Sequence, residues 1–343
     1  MTRFVEQFDP KEIDAAGRVL ANVQEVGEED SEWFEAFRLV SDWRAVHAAP
    51  LKTFRNRLGR RVGRRGTVAQ RLKRMPTIIS KLERLPRLKL SKVQDIGGCR
   101  AIVPTTNDAF RHATELLDSR VRHRLVRYRD YIERPRSSGY RSLHLIYSYN
   151  SEKSAIWNGL NTEIQIRSRL QHQWATAVEV VGFFTENDLK SSSGDAKWLR
   201  FFALMSSAIS RLEDMPIVPD TPGNESDLVH EVSALATELE VTKQLNAFRA
   251  ITGGIRHFQG FGNPWIVLEL DLDARNVMMR PFRPNEEDAA TAWYAEKELE
   301  SRGIRNKHVV LVSARSVNEL RRAYPNFFAD LSEFRKLVEE TID

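Results

Sequence analysis

The chain has 343 residues, of which 41% are hydrophobic and 29% charged, and its formal net charge is +5. This composition is typical of globular proteins and excludes disordered and membrane classes. The length favours two domains over one, because single hydrophobic cores usually stop growing before this size. No run approaches the roughly 20 apolar residues of a membrane helix, and the N-terminal residues lack the apolar core of a signal peptide. We therefore expect a cytoplasmic protein without a membrane partner. The single cysteine, Cys99, excludes an internal disulfide and a zinc finger.

Apolar and aromatic residues recur at spacings of three and four over the first ninety residues, as at Trp33, Phe37 and Val40, and this pattern predicts helices. Short strands follow Asp95: CRAIV, HRLVRY, SLHLIYSY and TEIQIR, with a helix near residues 107–117 after the first. Helical periodicity returns from Leu170. We predict a mixed β-sheet flanked by helices, which closes a first domain over residues 1–213.

Residues 214–226 carry three prolines and a glycine among polar residues, a composition typical of a linker. Beyond them the pattern predicts a helix, the strands WIVLELDL and VMMRPF, a helix from Asn285, the strand HVVLVS and a last helix. We expect residues 227–343 to form a small α+β domain, so that the whole chain is of the α+β class.

Positive charge is concentrated in one block. Between Leu51 and Lys92 the chain has fifteen Lys or Arg residues and a single acid, Glu83. Such a block attracts polyphosphates or nucleic acids, because each phosphate that is bound releases condensed counterions. A solvated basic face is the alternative interpretation.

Two candidate clusters lie at the end of this block. Arg71, Lys73 and Lys81 flank a predicted loop and helix start, where cations can hold a triphosphate through charge-assisted hydrogen bonds, although such residues are commonplace on helices. Asp95 precedes an apolar strand and is followed by Gly97 and Gly98, which permit close backbone approach. Asp95 is therefore a candidate Mg²⁺ ligand, and a simple turn at the strand entry is the alternative.

The third cluster is the most specific, and it runs from Arg129 through DYIERPRSSGYRSL to His144. Tyr140, next to a glycine, is a candidate stacking platform for a base, and Arg136, Arg141 and His144 are candidate hydrogen-bond donors to phosphates. The alternative is an ordinary loop with a core tyrosine.

The fourth cluster is the strand TEIQIR. Alternation along a strand places Glu163, Gln165 and Arg167 on one face, with Ile164 and Ile166 on the other. A half-exposed strand gives the same pattern, but an active-site strand explains why a carboxylate, an amide and a guanidinium share one face.

The four clusters together resemble the RelA/SpoT-homology synthetases, whose pattern includes Arg-x-Lys, Asp-x-x-Gly-x-Arg, Asp-Tyr-Ile…Gly-Tyr-x-Ser-Leu-His and Glu-x-Gln-Ile-Arg. The resemblance covers roughly residues 51–182. It implies a nucleotidyltransferase-like mixed sheet and an ATP-dependent transfer of pyrophosphate to a ribose 3′-hydroxyl, with Mg²⁺. It implies that the catalytic and metal-binding carboxylates are Asp95 and Glu163. The implied ATP-binding residues are Arg71, Lys73, Thr77, Lys81 and Arg100. The implied acceptor-binding residues are Tyr140, Arg136, His144, Arg129, Gln165 and Arg167.

The acceptor stays open between the 3′ end of tRNA and a free guanine nucleotide, GDP or GTP. The stretch around Trp174 resembles the toxic small alarmone synthetases, because Val178 stands where the housekeeping enzymes have glutamate and Glu179 is displaced. The basic block exceeds what one ATP requires, which favours tRNA. A catalytically inactive RNA-binding module is the alternative of another class. The basic patch expected to contact tRNA comprises Arg57, Arg60, Arg61, Arg64 and Arg65.

The C-terminal part resembles the regulatory domain of CapRel-type fused toxin–antitoxin proteins, a zinc-finger-like fold without zinc ligands. The family's Tyr-x-x-Tyr motif corresponds here to Tyr324 and Phe327. The resemblance implies a bacterial or prophage-encoded toxin that is inhibited in cis and released by a phage major capsid protein.

Overall fold

The computed structural model describes residues 8–22, 31–119, 122–184, 195–249, 264–271, 276–301, 304, 307–313 and 331–342. Its strands are β1 (Thr67–Leu72), β2 (Gly97–Val103), β3 (Arg124–Asp130), β4 (Leu143–Ser148), β5 (Asn161–Ser168), β6 (Trp265–Asp271), β7 (Asn276–Phe282) and β8 (Lys307–Ser313). Its α-helices are α1 (Pro10–Asn22), α2 (Ser31–Ala45), α3 (Ala48–Val62), α4 (Met75–Arg84), α5 (Thr106–Leu117), α6 (Arg169–Phe184), α7 (Ala196–Leu212), α8 (Glu225–Glu238), α9 (Val241–Arg249), α10 (Glu287–Glu300) and α11 (Ser332–Ile342).

The described strands form one sheet in the order β3-β4-β5-β2-β1-β8-β6-β7. The β2–β5 pair is parallel, and the other six neighbouring pairs are antiparallel. Such a mixed sheet with flanking helices confirms the predicted α+β class. None of the described helices is both long enough and apolar enough to cross a bilayer.

Three apolar clusters hold the layers together. The first lies between one face of the sheet and helices α3, α5 and α10, and includes Phe54, Leu145 and Tyr294. The second joins α6, α7, α8 and α11, where Trp198 stacks on Phe202 with ring centroids 5.7 Å apart. The third joins α1, α2 and α4. The remaining face of the sheet is thus free to carry polar side chains at its centre.

The prediction of helices over the first ninety residues is wrong at β1. This strand occupies the middle of the sheet, and nearly all of its residues are buried. Val68 and Leu72 point into the first apolar cluster. A short central strand of this kind has no helical periodicity, and the many cations around it concealed its alternation.

The sheet runs through both predicted domains, because β8 pairs with β1 and places Val312 opposite Arg71. Residues 214–226 pack against α7: the Val218 amide donates to Ser207 Oγ at 2.9 Å, and Arg141 Nη2 donates to the Pro216 carbonyl at 2.6 Å. The division into residues 1–213 and 227–343 stays a prediction, and the zinc-finger-like character of the second part is not confirmed.

Candidate active site

A row of polar residues crosses the centre of the sheet on one face. Directly opposed residues of neighbouring strands project to the same side. The pairings place Arg71 of β1 opposite Gly98 of β2, and Gly98 opposite Glu163 of β5. A Cβ added at Gly98 would meet no atom within 4 Å, so the missing side chain leaves open space between a guanidinium and a carboxylate. This space is the floor of a cleft, which Asp95 also lines.

The Glu163 carboxylate is held by two neighbours. His144 Nδ1 lies 2.8 Å from Glu163 Oε1, and Gln165 Nε2 donates to Glu163 Oε2 at 2.8 Å. Because a carboxylate only accepts, His144 must donate through Nδ1. Burial alone would raise the pKa of Glu163, but His144 holds it below its ordinary value. The carboxylate is therefore ionised and fixed in orientation.

The hydrogen-bond chain continues to Tyr140, whose hydroxyl lies 2.8 Å from His144 Nε2. Burial alone would lower the pKa of His144, but Tyr140 and Glu163 raise it to about 9. A protonated His144 donates from both ring nitrogens, so the Tyr140 oxygen accepts. Burial tends to raise the pKa of Tyr140, but His144 and Arg167 bring it below its ordinary value.

Two guanidinium groups offer unused donors beside this chain. Arg167 Nη2 donates to Gln165 Oε1 at 3.0 Å, but the buried Nε atoms of Arg167 and Arg100 have no partner among the described residues. Burial, reinforced by Arg100, lowers the pKa of Arg167 to about 10. Buried donors without acceptors are costly. An anion with several acceptor oxygens, such as a phosphate, fits both groups.

Asp95 lies between two lysines at the start of β2. Lys73 Nζ is 2.6 Å from Asp95 Oδ2, and Lys81 Nζ is 2.9 Å from Asp95 Oδ1. Burial opposes ionisation of Asp95, but the two ammonium groups hold its pKa well below the usual range. Burial also lowers the pKa of Lys73 to about 8, although Asp95 opposes this effect. Thr77 lies on the first turn of α4, between the two lysines in sequence.

The donor set fits Mg²⁺ only in combination with a substrate. Among the described residues no group of three or more His, Cys, Asp or Glu side chains could hold a metal alone. Asp95 and Glu163 line the same cleft, and the charge of Asp95 acts on the pKa of Glu163. Mg²⁺ is usually bound through one or two carboxylates plus substrate phosphates. Two carboxylates beside cations that attract phosphates match this mode.

An aromatic residue that the sequence analysis did not assign lies beside the predicted acceptor-binding residues. The Tyr131 ring lies edge-on to His144 at 5.2 Å and to Tyr140 at 5.9 Å. The Arg136 guanidinium stacks over Tyr131 at 4.7 Å and donates to its hydroxyl at 3.0 Å. Arg129 is exposed on β3, opposite His144. The sequence feature that could have identified Tyr131 is its position in the third cluster, directly after a strand.

The five arginines of the predicted tRNA patch are not brought to the cleft. Helix α3 and the loop after it carry them, and α3 packs on the other face of the sheet, where Cys99 Sγ donates to the Leu51 carbonyl at 3.6 Å. Arg61 lies 3.8 Å from Glu115 of α5 on that side. The three arginines on α3, Arg57, Arg60 and Arg61, are thus separated from Glu163 by the thickness of the sheet.

A buried ion pair links the C-terminal part to the element that the sequence analysis predicted to bind ATP, and sequence reasoning missed it. Glu298 of α10 accepts from Arg44 Nη1 at 2.7 Å and from the Met75 amide at 2.8 Å. Arg44 Nη1 also donates to the Lys73 carbonyl at 3.3 Å. The predicted regulatory residues, Tyr324 and Phe327, lie outside the described residues.

The cleft falls in a stretch of the chain that is similar to known proteins. Residues 70–181 match the family described as "Region found in RelA / SpoT proteins". GTP pyrophosphokinase YwaC of Bacillus subtilis (strain 168) is 30% identical over 103 residues, which are 30% of this chain and 49% of the relative. GTP pyrophosphokinase YjbM of the same organism is 34% identical over 88 residues, 26% of this chain and 41% of the relative.

The chain thus spans about half, or less, of the length of these curated relatives. Among solved structures, small alarmone synthetase 1 from Bacillus subtilis bound to its product pppGpp is 26% identical, with a TM-score of 0.38, over 54% of this chain and 94% of that chain. Asp95, Glu163 and the other residues that line the cleft fall within or at the edge of the matched range. The stretch of this chain from residue 70 to residue 181 is therefore similar to the RelA/SpoT region.

Proposed function

We propose that the protein is an ATP-dependent pyrophosphokinase that transfers pyrophosphate to a ribose 3′-hydroxyl. One observation carries the proposal: the ionised carboxylate of Glu163, held by two neighbours, shares a cleft with Arg71 and with Arg100, whose Nε atom has no partner among the described residues. Phosphoryl transfer needs little covalent help from a protein, but it needs positioned cations and a carboxylate near the attacking hydroxyl. The cleft offers these groups. The family region over residues 70–181 supports the same reaction.

In the proposed reaction, the acceptor 3′-oxygen attacks the β-phosphorus of ATP. The bond between that phosphorus and the oxygen that bridges to the α-phosphate breaks, so AMP leaves and the β- and γ-phosphates stay on the acceptor. Glu163 accepts a hydrogen bond from the hydroxyl and takes its proton. Lys73, Lys81 and Arg100 hold the phosphates. His144 keeps Glu163 oriented through the bond at 2.8 Å.

Mg²⁺ would be held by Asp95 and Glu163 together with phosphate oxygens of ATP, and it supplies neutralisation of the charge on those phosphates. Lys73 and Lys81 both contact Asp95. Phosphate oxygens of ATP would compete with this carboxylate for the two lysines.

We propose the 3′ end of tRNA as the acceptor. The positive charge of residues 51–92 supports this choice, since it is more than one ATP requires and attracts a polyanion over long range. In this proposal the α3 arginines attract tRNA through long-range electrostatics and do not contact it at the cleft. A guanine nucleotide is the second candidate, and the names of the relatives YwaC and YjbM, both GTP pyrophosphokinases, favour it.

We further propose that the C-terminal part inhibits the transfer and that a phage major capsid protein releases it. Two contacts support communication between the parts: β8 pairs with β1 at Arg71, and Glu298 binds the Met75 amide at the start of α4. Both contacts lie beside groups assigned to ATP. A ligand of the C-terminal part that prefers another arrangement would shift this equilibrium by its differential affinity.

The test is a transfer assay with ATP labelled at the γ-phosphate, with deacylated tRNA, GDP and GTP as separate acceptors. We expect label on tRNA with the full chain once the C-terminal inhibition is relieved, and none with Glu163→Gln. Label on GDP or GTP alone would favour the second candidate. RNA binding without transfer to any acceptor would instead indicate the inactive RNA-binding module.

A further inference from the structure

Strand β3, at the edge of the sheet, presents a row of arginines on the cleft face. In its pairing with β4, Arg129 lies opposite His144, Arg127 opposite Ile146 and Arg124 opposite Ser148. Strict alternation would turn Arg124 away from the other two. The register shift between Leu125 and Arg127 brings Arg124 back to their side. The row therefore begins beside His144 and runs away from the cleft along the edge.

The side chains of these three arginines are exposed, and they have no hydrogen-bond or ion-pair partner among the described residues. The neighbouring acid of the strand, Asp130, belongs to the opposite face and accepts from the Ile132 amide at 2.9 Å. Arg122, two residues before the strand, is also exposed, but its Nη1 lies 2.6 Å from Glu152. Edge strands often carry charges that prevent aggregation. That role explains charge at the edge, but it does not require alignment with the cleft.

We propose that Arg124, Arg127 and Arg129 bind consecutive phosphates of single-stranded RNA whose 3′-terminal ribose lies in the cleft. The inference rests on the proposed function, since it assumes that a ribose hydroxyl enters beside Glu163. Arg127 and Arg129 are two residues apart on a strand, which corresponds to about 7 Å, comparable to the separation of successive phosphates in an extended strand.

The length of the arginine row also distinguishes the two candidate acceptors. Arg124 is five residues from Arg129, which places it up to about 17 Å further along the edge. A free guanine nucleotide that fills the cleft ends near Arg129 and does not reach Arg124. A tRNA 3′ end continues past the terminal nucleotide and carries phosphates along the whole row.

The test measures binding separately from transfer. The Arg124→Glu/Arg127→Glu variant is compared with the wild type and with Arg87→Glu/Lys89→Glu, a pair of exposed cations after α4 with the same charge change. Fluorescence anisotropy reports binding of labelled deacylated tRNA and of a fluorescent GDP analogue at several salt concentrations, and circular dichroism checks folding.

We expect the β3 variant to bind tRNA at least tenfold more weakly and the GDP analogue within twofold of the wild type. The slope of log affinity against log salt should fall by about 1.4, because each lost single-strand phosphate contact accounts for roughly 0.7. An equal loss of tRNA affinity in the Arg87/Lys89 variant would contradict the proposed role of the β3 arginines. So would an unchanged tRNA affinity in the folded β3 variant. If the wild type binds tRNA through β3 but transfers nothing to it, the proposed reaction fails while the row stands.

Discussion

The guanidinium of Arg44 and the carboxylate of Glu298 meet at 2.7 Å in the interior of the protein, although 254 residues separate them in sequence. Their side chains are 0% and 3% exposed. Tyr294 lies beside them: its hydroxyl donates to Glu298 Oε1 at 2.6 Å, and Arg44 stacks over its ring at 4.6 Å. Through Met75, the same carboxylate fixes the start of α4. The C-terminal part therefore contacts the predicted ATP-binding element directly.

Glu298→Gln should destabilise the protein by about 3 to 5 kcal/mol, because it leaves the Arg44 charge buried without a counter-charge. The glutamine oxygen can still accept from the Met75 amide, so the variant isolates the charge. Denaturant unfolding measures the difference. The Arg44→Met/Glu298→Met double variant should recover much of the loss, and an equal loss in the double variant would show that packing, not charge, is responsible.

Glu163→Gln should lower the rate of pyrophosphate transfer by roughly 100-fold or more while the fold persists, because general-base and metal contributions of this kind are typically 10²–10⁴-fold. The substitution also removes the negative partner of His144, so the pKa of His144 should fall from about 9. An NMR titration of the histidine checks this fall independently of activity. Normal turnover by the folded variant would remove Glu163 from the mechanism.

Tyr140 allows the ring and the hydroxyl to be tested separately. If the ring stacks on an acceptor base, Tyr140→Ala should weaken acceptor binding by about 1 to 3 kcal/mol. Tyr140→Phe keeps the ring but removes the partner of His144 Nε2, so it should affect the turnover rate and leave acceptor binding nearly unchanged. Equal acceptor affinity in both variants and the wild type would assign the ring to packing against α6 and α7.

The strand that carries Glu163 was predictable because its pattern is local. The alternation of TEIQIR places Ile164 and Ile166 at 1% and 0% exposure, and β5 spans Asn161–Ser168. The neighbours of Glu163 were only partly predictable, because the pairing of His144 with Gln165 depends on which strands are adjacent in the sheet.

The contacts between distant segments were not predictable from one sequence. Arg44 lies in α2 and Glu298 in α10, and nothing in either helix sequence indicates that the two side chains are buried against each other. The same limit applies to the basic block. Its charge is evident in the sequence, but the separation of the α3 arginines from the cleft follows from the side of the sheet on which α3 packs.

His47 should make the protein sensitive to acid. It is 3% exposed, and burial lowers its pKa to about 4, although Nδ1 lies 3.1 Å from the Trp43 carbonyl. Below its unfolded pKa of about 6.5, the unfolded chain binds a proton that the folded protein does not, so stability falls as the pH drops from about 6.5 to 4. The expected contribution is about 3 kcal/mol at one pKa unit per 1.36 kcal/mol.

Unfolding free energies measured between pH 7 and pH 4 for the wild type and His47→Gln check this prediction. The glutamine amide can donate to the Trp43 carbonyl but does not titrate. The difference between the two proteins should shrink, or change sign, as the pH falls. A difference that stays constant over this range would show that His47 does not contribute to acid sensitivity.

The proposed inhibition in cis can be tested without cutting the chain. Truncation after residue 219 would remove β8 from β1 and Glu298 from Arg44. A truncated protein that proves harmless would therefore not distinguish unfolding from the absence of an inhibitory role. Point changes at the two predicted regulatory positions avoid this. Expressed in bacteria, Tyr324→Ala/Phe327→Ala should arrest growth and amino-acid incorporation, while the wild type is tolerated, because a tethered inhibitor needs only moderate affinity and loses its effect when that affinity falls. Adding Glu163→Gln should restore growth. If the double variant is soluble and harmless, and the wild type already transfers pyrophosphate at the same rate, the C-terminal part has no inhibitory role.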